Sequence, residues 1–461
     1  MLLLIQYYLH LAYPFTPSIT NNYLMSDNLK QNLTLFGLVM IGVGASIGSG
    51  IFRTPGLVAK SLPDANLILI VWTLGGVYTL CGALTFAELG GLFPRTGGIY
   101  HYLREAYGEP VAFLYGWSNI FIINTGSIAG LALTFAGYLN VLTPVNERFT
   151  AMSIIIFVTV INIFGVKISE IFSSIFTSLK IIGIALIVLV GLFFTQHTVN
   201  TEGVAMPVSP ALPTDIWSAF AAAFIGVLWS YGGWHHVSFL SGEAKNPRRN
   251  IPLAMMIGAS IVTLLYVTIN FAYVRLLPIN QLSNSTAVAA DAMSSVFTEG
   301  GKWIAVLIMA STFGTLVIYA MSLPRVYFQM AKDGNFFSQM AYIHPTFRTP
   351  IVAIVVQSIW ALVLLFYKDF GQLLTYITFT DGLFFLLSAL TIFIFRIRRP
   401  DAERPVKTWL YPIIPMIFCT IATWFLLKTL FADNSSEQAL AGLVVLGLGV
   451  PFYIYFKRKK A

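Results

Sequence analysis

Charge is what this sequence has least of. Only 10% of its 461 residues are Asp, Glu, Lys or Arg, where a soluble globular domain carries about 25%. With 57% hydrophobic residues and a mean hydropathy of +0.78, too few polar side chains are left to cover a water-soluble globule. Cysteine is nearly absent. Cys81 and Cys419 each sit inside an apolar run, which excludes a disulfide framework and a thiolate metal site. There is no HExxH, and no nucleophile paired with a base inside an apolar run. An intramembrane enzyme, a metal and a cofactor are therefore not expected. A ring-forming filter motif of the kind that channels use is also missing. The 27 Lys and Arg against 19 Asp and Glu do not point to nucleic acid, because in so apolar a chain basic residues collect in cytoplasmic loops.

What is present is a series of long apolar runs. A hydrocarbon core about 30 Å thick needs ~20 apolar residues per spanning helix. Read against charge and turn clusters, the chain offers about twelve such runs: roughly 34–60, 66–93, 109–140, 150–165, 171–196, 214–243, 251–278, 300–332, 350–367, 369–395, 410–430 and 436–457. The longest polar connections fall at 197–213 and 279–299. The expected fold is an all-α membrane protein without a soluble domain. Residues 1–16 are apolar but too short to span, and they lack the basic start and small-residue cleavage site of a signal peptide. Met25 opens a polar lead into the first run and is the expected initiator, so that 1–33 forms an N-terminal cytoplasmic segment.

Lys and Arg give an orientation. If the N-terminus is cytoplasmic, the inner loops hold Arg95 and Arg104, Lys167, Lys245 with Arg248 and Arg249, Lys332 with Arg348, and the cluster from Arg396 to Lys407. The C-terminus adds Lys457 to Lys460, while the outer margins hold Lys60, Arg148, Lys302, Lys368 and Lys428 singly. This asymmetry predicts both termini inside, in agreement with an even number of spans.

Two of the runs are interrupted. The first contains Gly42-Val-Gly-Ala-Ser-Ile-Gly-Ser-Gly50, and the sixth contains Ser230-Tyr-Gly-Gly-Trp234. Each glycine costs a helix about 1 kcal/mol relative to alanine. Glycines clustered in this way, not spaced every four residues as in helix-packing motifs, predict unwound backbone. Such backbone persists at membrane depth only where protein or a cavity satisfies its polar groups. The breaks lie five spans apart, and five is odd, so a second five-helix unit must enter from the opposite face. This predicts a five-plus-five inverted repeat (34–196 and 214–395, followed by 410–457) with discontinuous helices 1 and 6 meeting near the midplane.

The chemistry of such a meeting point follows from helix ends. The half-helix beginning near Ile51 offers free N–H groups to an anion, and those ending near Gly44 and Trp229 offer free carbonyls to a cation. A zwitterion with its carboxylate and ammonium a few ångströms apart suits both, and an α-amino acid is such a ligand. Gly48, Ser49 and Gly50 are the candidate N–H donors, and Ser46, Trp229 and Gly232 the candidate carbonyl acceptors. Ser230 and Gly233 complete the second break.

Four blocks of sequence resemble one family, the amino acid–polyamine–organocation transporters. GASIGSGIF (44–52) is similar to the first-helix signature, and FAELGGLFPRTGGIYHYLREAYGEP (86–110) to the second helix and first inner loop. SYGGWHHVSFLSGEAKNPRRNIP (230–252) resembles the sixth-helix block, its YGGW that of the L-type amino acid transporter branch. PRVYFQMAKDGNFF (324–337) with HPTFRTP (344–350) resembles the exit of the eighth helix. The resemblance covers roughly 34–400 and implies twelve transmembrane helices, the inverted repeat, and amino acid uptake or exchange. It also implies that Ser49 and Gly50 hold the substrate carboxylate, that Ser46, Trp229 and Gly232 hold the amine, that the Trp229 side chain is a gate, and that Ser127 lines the pocket. Eukaryotic L-type members join a heavy chain through a cysteine between spans three and four. Residues 141–149 contain none, so a disulfide-linked heavy chain is not expected.

Three ionisable positions stand out at depth. Lys180 lies nine residues into the fifth run, about 14 Å from its inner end, where a charge is costly unless paired or functional. The resemblance implies that Lys180 takes the place of a sodium ion found in sodium-coupled relatives and braces the first broken helix. Asp381, about twelve residues into the tenth run, is a candidate pocket residue or proton carrier by the same cost argument. His235 follows the second break, where L-type members often carry asparagine. It is either a titrating site residue or a hydrogen-bonded structural one. Glu88 and Glu243 lie near helix ends beside Arg95, Lys245 and Arg248 and are read as structural ion pairs. The expected substrate is a neutral amino acid, since neither break contains an acidic residue. A cationic amino acid or polyamine is the alternative. A membrane receptor sensing amino acids through the same pocket is the competing class, and it would need a signalling domain that the sequence does not show.

Overall fold

The computed structural model describes residues 31–194, 213–366, 370–431 and 435–460. Met25, the stretch 1–16, nearly all of the connection 197–213, and Lys368 lie outside the described residues. Among the described residues every regular element is a helix, apart from an isolated parallel bridge between Leu33 and Ala244. The order is α1 (Leu35–Ser46), α2 (Gly50–Ser61), α3 (Ala65–Leu92), α4 (Ile99–Tyr107), α5 (Glu109–Ser118) and α6 (Asn124–Leu142), the last two joined by a π-helical turn at Asn119–Ile123. Then come α7 (Glu147–Ile163), α8 (Val166–Phe193), α9 (Ile216–Tyr231), a 3-10 helix at Trp234–Glu243, and α10 (Pro247–Leu276). The remainder is α11 (Ile279–Asn284), α12 (Val288–Ser294), α13 (Gly300–Ser322), α14 (Pro324–Lys332), α15 (Ile351–Leu364), α16 (Phe370–Arg398), α17 (Ile413–Leu430) and α18 (Ser436–Lys460), with a short 3-10 turn at Ser338–Ala341.

Nine stretches among the described residues are long and apolar enough to cross a membrane unaided. Others are shorter: α9 stops at a break after 16 residues, α15 has 14 residues and α7 has 17. Several starts are set by side chains that accept from the first free N–H groups of the helix. Thr34 Oγ1 accepts from Gly37 N at 3.2 Å, Asp64 Oδ1 from Leu67 N at 2.9 Å and Asn146 Oδ1 from Phe149 N at 3.0 Å. Caps of this kind stabilise a helix by about 1 kcal/mol each.

The broken pair α1–α2 is the centre of the bundle. Its most apolar window is 83% buried, while that of α18 is 22% buried. Large apolar side chains such as Phe149, Phe193, Trp303 and Phe431 point outward, as lipid-facing residues do. Around α1–α2 pack α8, α9, α10, α13 and the Trp234–Glu243 turn, and α10 runs along α3.

Both interruptions are present, and both are narrower than the glycine clusters predict. Helix α1 continues through Gly42 and Gly44 to Ser46, and only residues 47–49 are unwound. At Gly44 the missing side chain makes room for a neighbouring helix instead of unwinding the backbone. A Cβ on Gly44 would collide with Thr177 Oγ1, and one on Gly42 would lie 3.4 Å from Val237 Cγ1. The second break is Gly232–Gly233, followed by a 3-10 helix where an α-helix is expected. The connection 279–299, expected to be polar loop, contains α11 and α12. The latter buries Val288, Ala289, Ala292 and Met293 and so has the apolar face that an ordered helix requires.

Candidate functional site

The two breaks touch. Gly233 has φ +112, and a Cβ there would fall 2.5 Å from the carbonyl carbon of Ala45. Any side chain would be strained by the left-handed backbone and would collide with the main chain of α1. A Cβ on Gly50 would collide with Ser230 Oγ. Ser230 Oγ in turn lies 2.7 Å from Thr54 Oγ1, and Thr54 donates back to Gly50 O at 2.9 Å or bonds Ser230. Small residues at both breaks let two main chains approach within van der Waals distance.

The carbonyls freed by unwinding are taken up by side chains of neighbouring helices. The hydroxyl of Tyr266, on α10, is shared between Ser46 O at 2.7 Å and Ser230 O at 3.0 Å. On the other side, Lys180 Nζ donates to Gly44 O at 2.7 Å and to Thr315 Oγ1 at 2.6 Å. Thr315 Oγ1 is also 2.9 Å from Gly44 O and 3.0 Å from Ile47 O. An ammonium only donates, so Thr315 accepts from Lys180 and passes its own proton to one of these carbonyls. Nothing in the sequence singled out Tyr266 or Thr315. Both are single hydroxyls in apolar runs, and such residues usually bond within their own helix.

The donor side of the first break is less used. Gly48 N donates to Ser46 O at 2.8 Å, so this one of the three candidate N–H groups is engaged within the break. Ser49 precedes α2 at its N-cap position, but its hydroxyl makes no capping bond, and Ser49 Oγ is buried without a hydrogen-bond partner. A buried hydroxyl left unpaired costs about 1–3 kcal/mol, and next to a helix N-terminus it is suited to an anion.

Beside the second break lies a small, partly open hollow of about 40 Å³. Trp229 and Gly232 line it from α9 and the break, and His235 and His236 line it from the turn that follows. Ser127, Asn119 and Asn124 reach it from the third span, Tyr319 from α13, and Thr378, Asp381 and Phe385 from α16. Of the candidates named from sequence, Trp229, Gly232, Ser127, His235 and Asp381 are brought to this hollow. Ser46, Gly48, Ser49, Gly50, Ser230 and Gly233 lie in the packed contact of the breaks, and Lys180 stands behind α1. Asn119 and Asn124 escaped notice in the sequence. They bracket the π-helical turn, a feature often found at functional sites. Their signal was two amides within an otherwise apolar run. Asn119 Nδ2 donates to Tyr115 O at 2.9 Å, and Asn124 Nδ2 to Gln357 Oε1 at 2.7 Å.

The two histidines differ. His236 Nδ1 is 2.6 Å from Ser322 Oγ and its ring packs on Tyr319, so it is a hydrogen-bonded structural residue. His235 Nδ1 has no partner, while its ring meets Phe385 edge-on at 4.7 Å. Glu88 and Glu243 form buried ion pairs, but with partners other than their sequence neighbours. Glu88 accepts from Arg396 at 2.7 and 2.8 Å and from Arg404 at 3.0 Å, and Glu243 from Arg325 at 2.8 Å. Arg248 pairs instead with Glu403 on the surface.

A membrane-embedded helical bundle with two broken helices in contact beside a partly polar hollow defines an integral membrane transporter class. The amino acid permease family model matches residues 33–449. The serine/threonine exchanger SteT of Bacillus subtilis is 34% identical over 94% of this chain and 99% of its own length. The human b(0,+)-type amino acid transporter 1 is 30% identical over 94% of this chain and 90% of its own. The mouse large neutral amino acids transporter small subunit 2 is 31% identical, with 94% and 82% covered. The chain belongs to the amino acid permease family, whose members are transporters and not enzymes.

Proposed function

We propose that the chain moves amino acids across the plasma membrane by alternating access, as a sodium-independent exchanger or proton-coupled symporter. In this reading twelve helices span the bilayer with both termini cytoplasmic. Residues 34–196 and 214–395 are the two inverted repeats, and 410–457 lies outside them. The observation that carries it is the contact of the two breaks, with an unpaired Ser49 hydroxyl at the start of α2 and the hollow on the other side of Trp229. When the breaks part, the N–H groups of Ser49 and Gly50 face a carboxylate, and the carbonyls around Trp229 and Gly232 face an ammonium. The substrate side chain then enters the hollow, with Ser127 and His235 on its wall and Trp229 as the gate.

Lys180 supports the sodium-independent reading. Its ammonium occupies the space between α8, α13 and the end of α1, where it already satisfies Gly44 O. A sodium ion there would meet a fixed positive charge. The absence of acidic residues in both breaks supports neutral substrates, as do the serine, threonine and large neutral amino acids named for the relatives. Cys81 and Cys419 are both free, and both lie inside helices, so we place no disulfide-linked heavy chain on this protein.

Counterflow of radiolabelled amino acids into proteoliposomes, with and without sodium and across a pH step, tests this. We expect accumulation of at least one neutral amino acid, unchanged when choline replaces sodium. Failure of every amino acid to exchange would overturn the substrate reading, and a strict need for sodium would overturn the role of Lys180.

A further inference from the structure

Away from the hollow, the bundle carries an open groove of about 400 Å³ whose lining is almost wholly apolar. One wall is α15, through Val352, Val356, Ile359 and Trp360, and another is the π-helical turn, through Ile120 and Phe121. The segment before α15 adds Phe337 and Gln339, the one polar residue of the lining. No residue lines both the groove and the hollow. The π-helical turn divides them, with Asn119 and Ile123 on the hollow and Ile120 and Phe121 on the groove. Trp360 is fixed as part of the wall. Its Nε1 donates to Phe121 O at 3.2 Å, and its ring meets Phe121 edge-on at 5.0 Å. Phe337 and Ile359 are 49% and 56% exposed, so the groove opens outward, where lipid is the solvent.

Its dimensions suit a hydrocarbon chain. Val352 to Trp360 spans about 12 Å of helix, close to the ~15 Å of hydrocarbon in one leaflet. A helix of another protein is too thick. A single turn, about 10 Å across and 5.4 Å tall, would alone take up roughly the whole volume.

Charge at one end of the groove selects among lipids. The ring of Phe456 lies 5.0 Å from that of Phe337 and 5.6 Å from that of Phe336, both of which line the groove. Directly after Phe456, α18 ends in Lys457, Arg458 and Lys459, all exposed. None of these three forms an ion pair with another described residue. Arg348, also exposed, precedes α15 on the chain. Basic residues at the edge of a membrane span attract anionic headgroups. A zwitterionic headgroup has no net charge to answer such a cluster.

We propose that the groove between α15 and the π-helical turn binds an acyl chain of one anionic phospholipid, whose phosphate is met by Lys457, Arg458 and Lys459. The site is separate from the amino acid site and does not depend on which amino acid moves.

The test is native mass spectrometry of the delipidated full-length protein, titrated with phosphatidylglycerol or with phosphatidylcholine of the same chain length. One phosphatidylglycerol per chain is expected to bind at concentrations about tenfold or more below those that phosphatidylcholine needs. Ile359→Trp fills the groove from an exposed position and should weaken this first binding step about tenfold. The triple variant Lys457→Gln/Arg458→Gln/Lys459→Gln should retain phosphatidylcholine binding and lose the preference for phosphatidylglycerol. All four changes are at exposed positions, and melting in detergent should match that of the unmodified protein. Equal affinity of the unmodified protein for the two lipids overturns the proposal, as does undiminished phosphatidylglycerol binding by Ile359→Trp. A dimer of the unmodified protein that Ile359→Trp dissociates would assign the groove to a second copy of the chain and likewise overturn it. No transport is measured, so failure of amino acid exchange and failure of this inference are seen separately.

Discussion

Tyr266 donates its hydroxyl to the carbonyl of Ser46 at 2.7 Å, and the same oxygen is 3.0 Å from the carbonyl of Ser230. One proton thereby serves the last residue of α1 and the penultimate residue of α9, the two helix ends that abut at the midpoint of the bundle. The ring is held for this purpose by Trp72, edge-on at 5.8 Å, and by Tyr231 at 4.9 Å. Tyr266→Phe keeps that packing and removes the donor. Ser230 O then loses the Tyr266 donor, and Ser46 O keeps only the Gly48 N–H, at a cost of about 1–3 kcal/mol. We expect a lower melting temperature in detergent and slower exchange in proteoliposomes. Unchanged values of both would mean that water replaces the phenol without loss.

Lys180 and Thr315 support the other side of the same break. Lys180→Met preserves most of the side chain's volume and removes all three donors, leaving Gly44 O and Thr315 Oγ1 to each other. Hydrogen bonds from a charged group contribute about 1.5–3 kcal/mol. Exchange by Lys180→Met should therefore fall roughly tenfold or more, since the brace acts on the backbone that binds substrate. Thr315→Val should fall in the same direction by less, because Lys180 still reaches Gly44 O. Equal rates for Lys180→Met and the unmodified protein, measured as serine counterflow, would remove Lys180 from the mechanism.

Glycine substitutions separate close approach from incidental use. Gly233→Ala forces a Cβ into the Ala45 carbonyl on a backbone with φ +112, and strain of that kind costs about 1–3 kcal/mol before the collision is counted. Gly137 and Gly447 lie inside helices, and a methyl group added at either would meet nothing within 4 Å. Alanine at either should be neutral or stabilising by about 0.5–1 kcal/mol. Fluorescence-detected melting of the three variants checks this. A Gly233→Ala protein as stable as Gly137→Ala would show that the breaks do not need to touch.

Much of this architecture is legible in the sequence because membrane depth makes exceptions costly. Apolar runs reveal helices, and glycine clusters reveal breaks, since each departure from an apolar helix requires compensation. The extent of the first break is not legible. Gly42 and Gly44 look the same as Gly48 and Gly50 in sequence, and only the neighbouring Thr177 shows that the missing side chain of Gly44 makes room for another helix. The compensating donors are also hidden. Tyr266 and Thr315 act across more than 200 residues of chain, at separations of 220 from Ser46 and 271 from Gly44. Ion pairing fails for the same reason. Glu88 is seven positions from Arg95, yet its partners Arg396 and Arg404 are 308 and 316 positions away. Proximity along a helical membrane chain does not reveal which helix ends meet.

The pair Glu243–Arg325 gives the sharpest energetic test. The two side chains are 2% and 1% exposed, with Arg325 Nε 2.8 Å from Glu243 Oε1. Arg325 also donates to Met321 O, and its second terminal nitrogen, Nη2, has no partner. The main chain at Glu243 is held from the other side by Leu33, whose N–H donates to Glu243 O at 2.9 Å while Leu33 O accepts from Lys245 N at 2.9 Å. The pair thus joins the end of the 3-10 helix to α14, with the segment at Leu33 strapped over it. Removing one partner leaves the other as an uncompensated buried charge, which costs about 3–5 kcal/mol. Removing both leaves apolar packing of similar volume, and such replacements are often neutral. Glu243→Met and Arg325→Met should each lower the melting temperature markedly, and the double variant should recover most of the loss. If the double variant instead melts at the sum of the two single losses, the pair contributes no coupling, and the strap at Leu33 alone holds the end of the broken sixth helix.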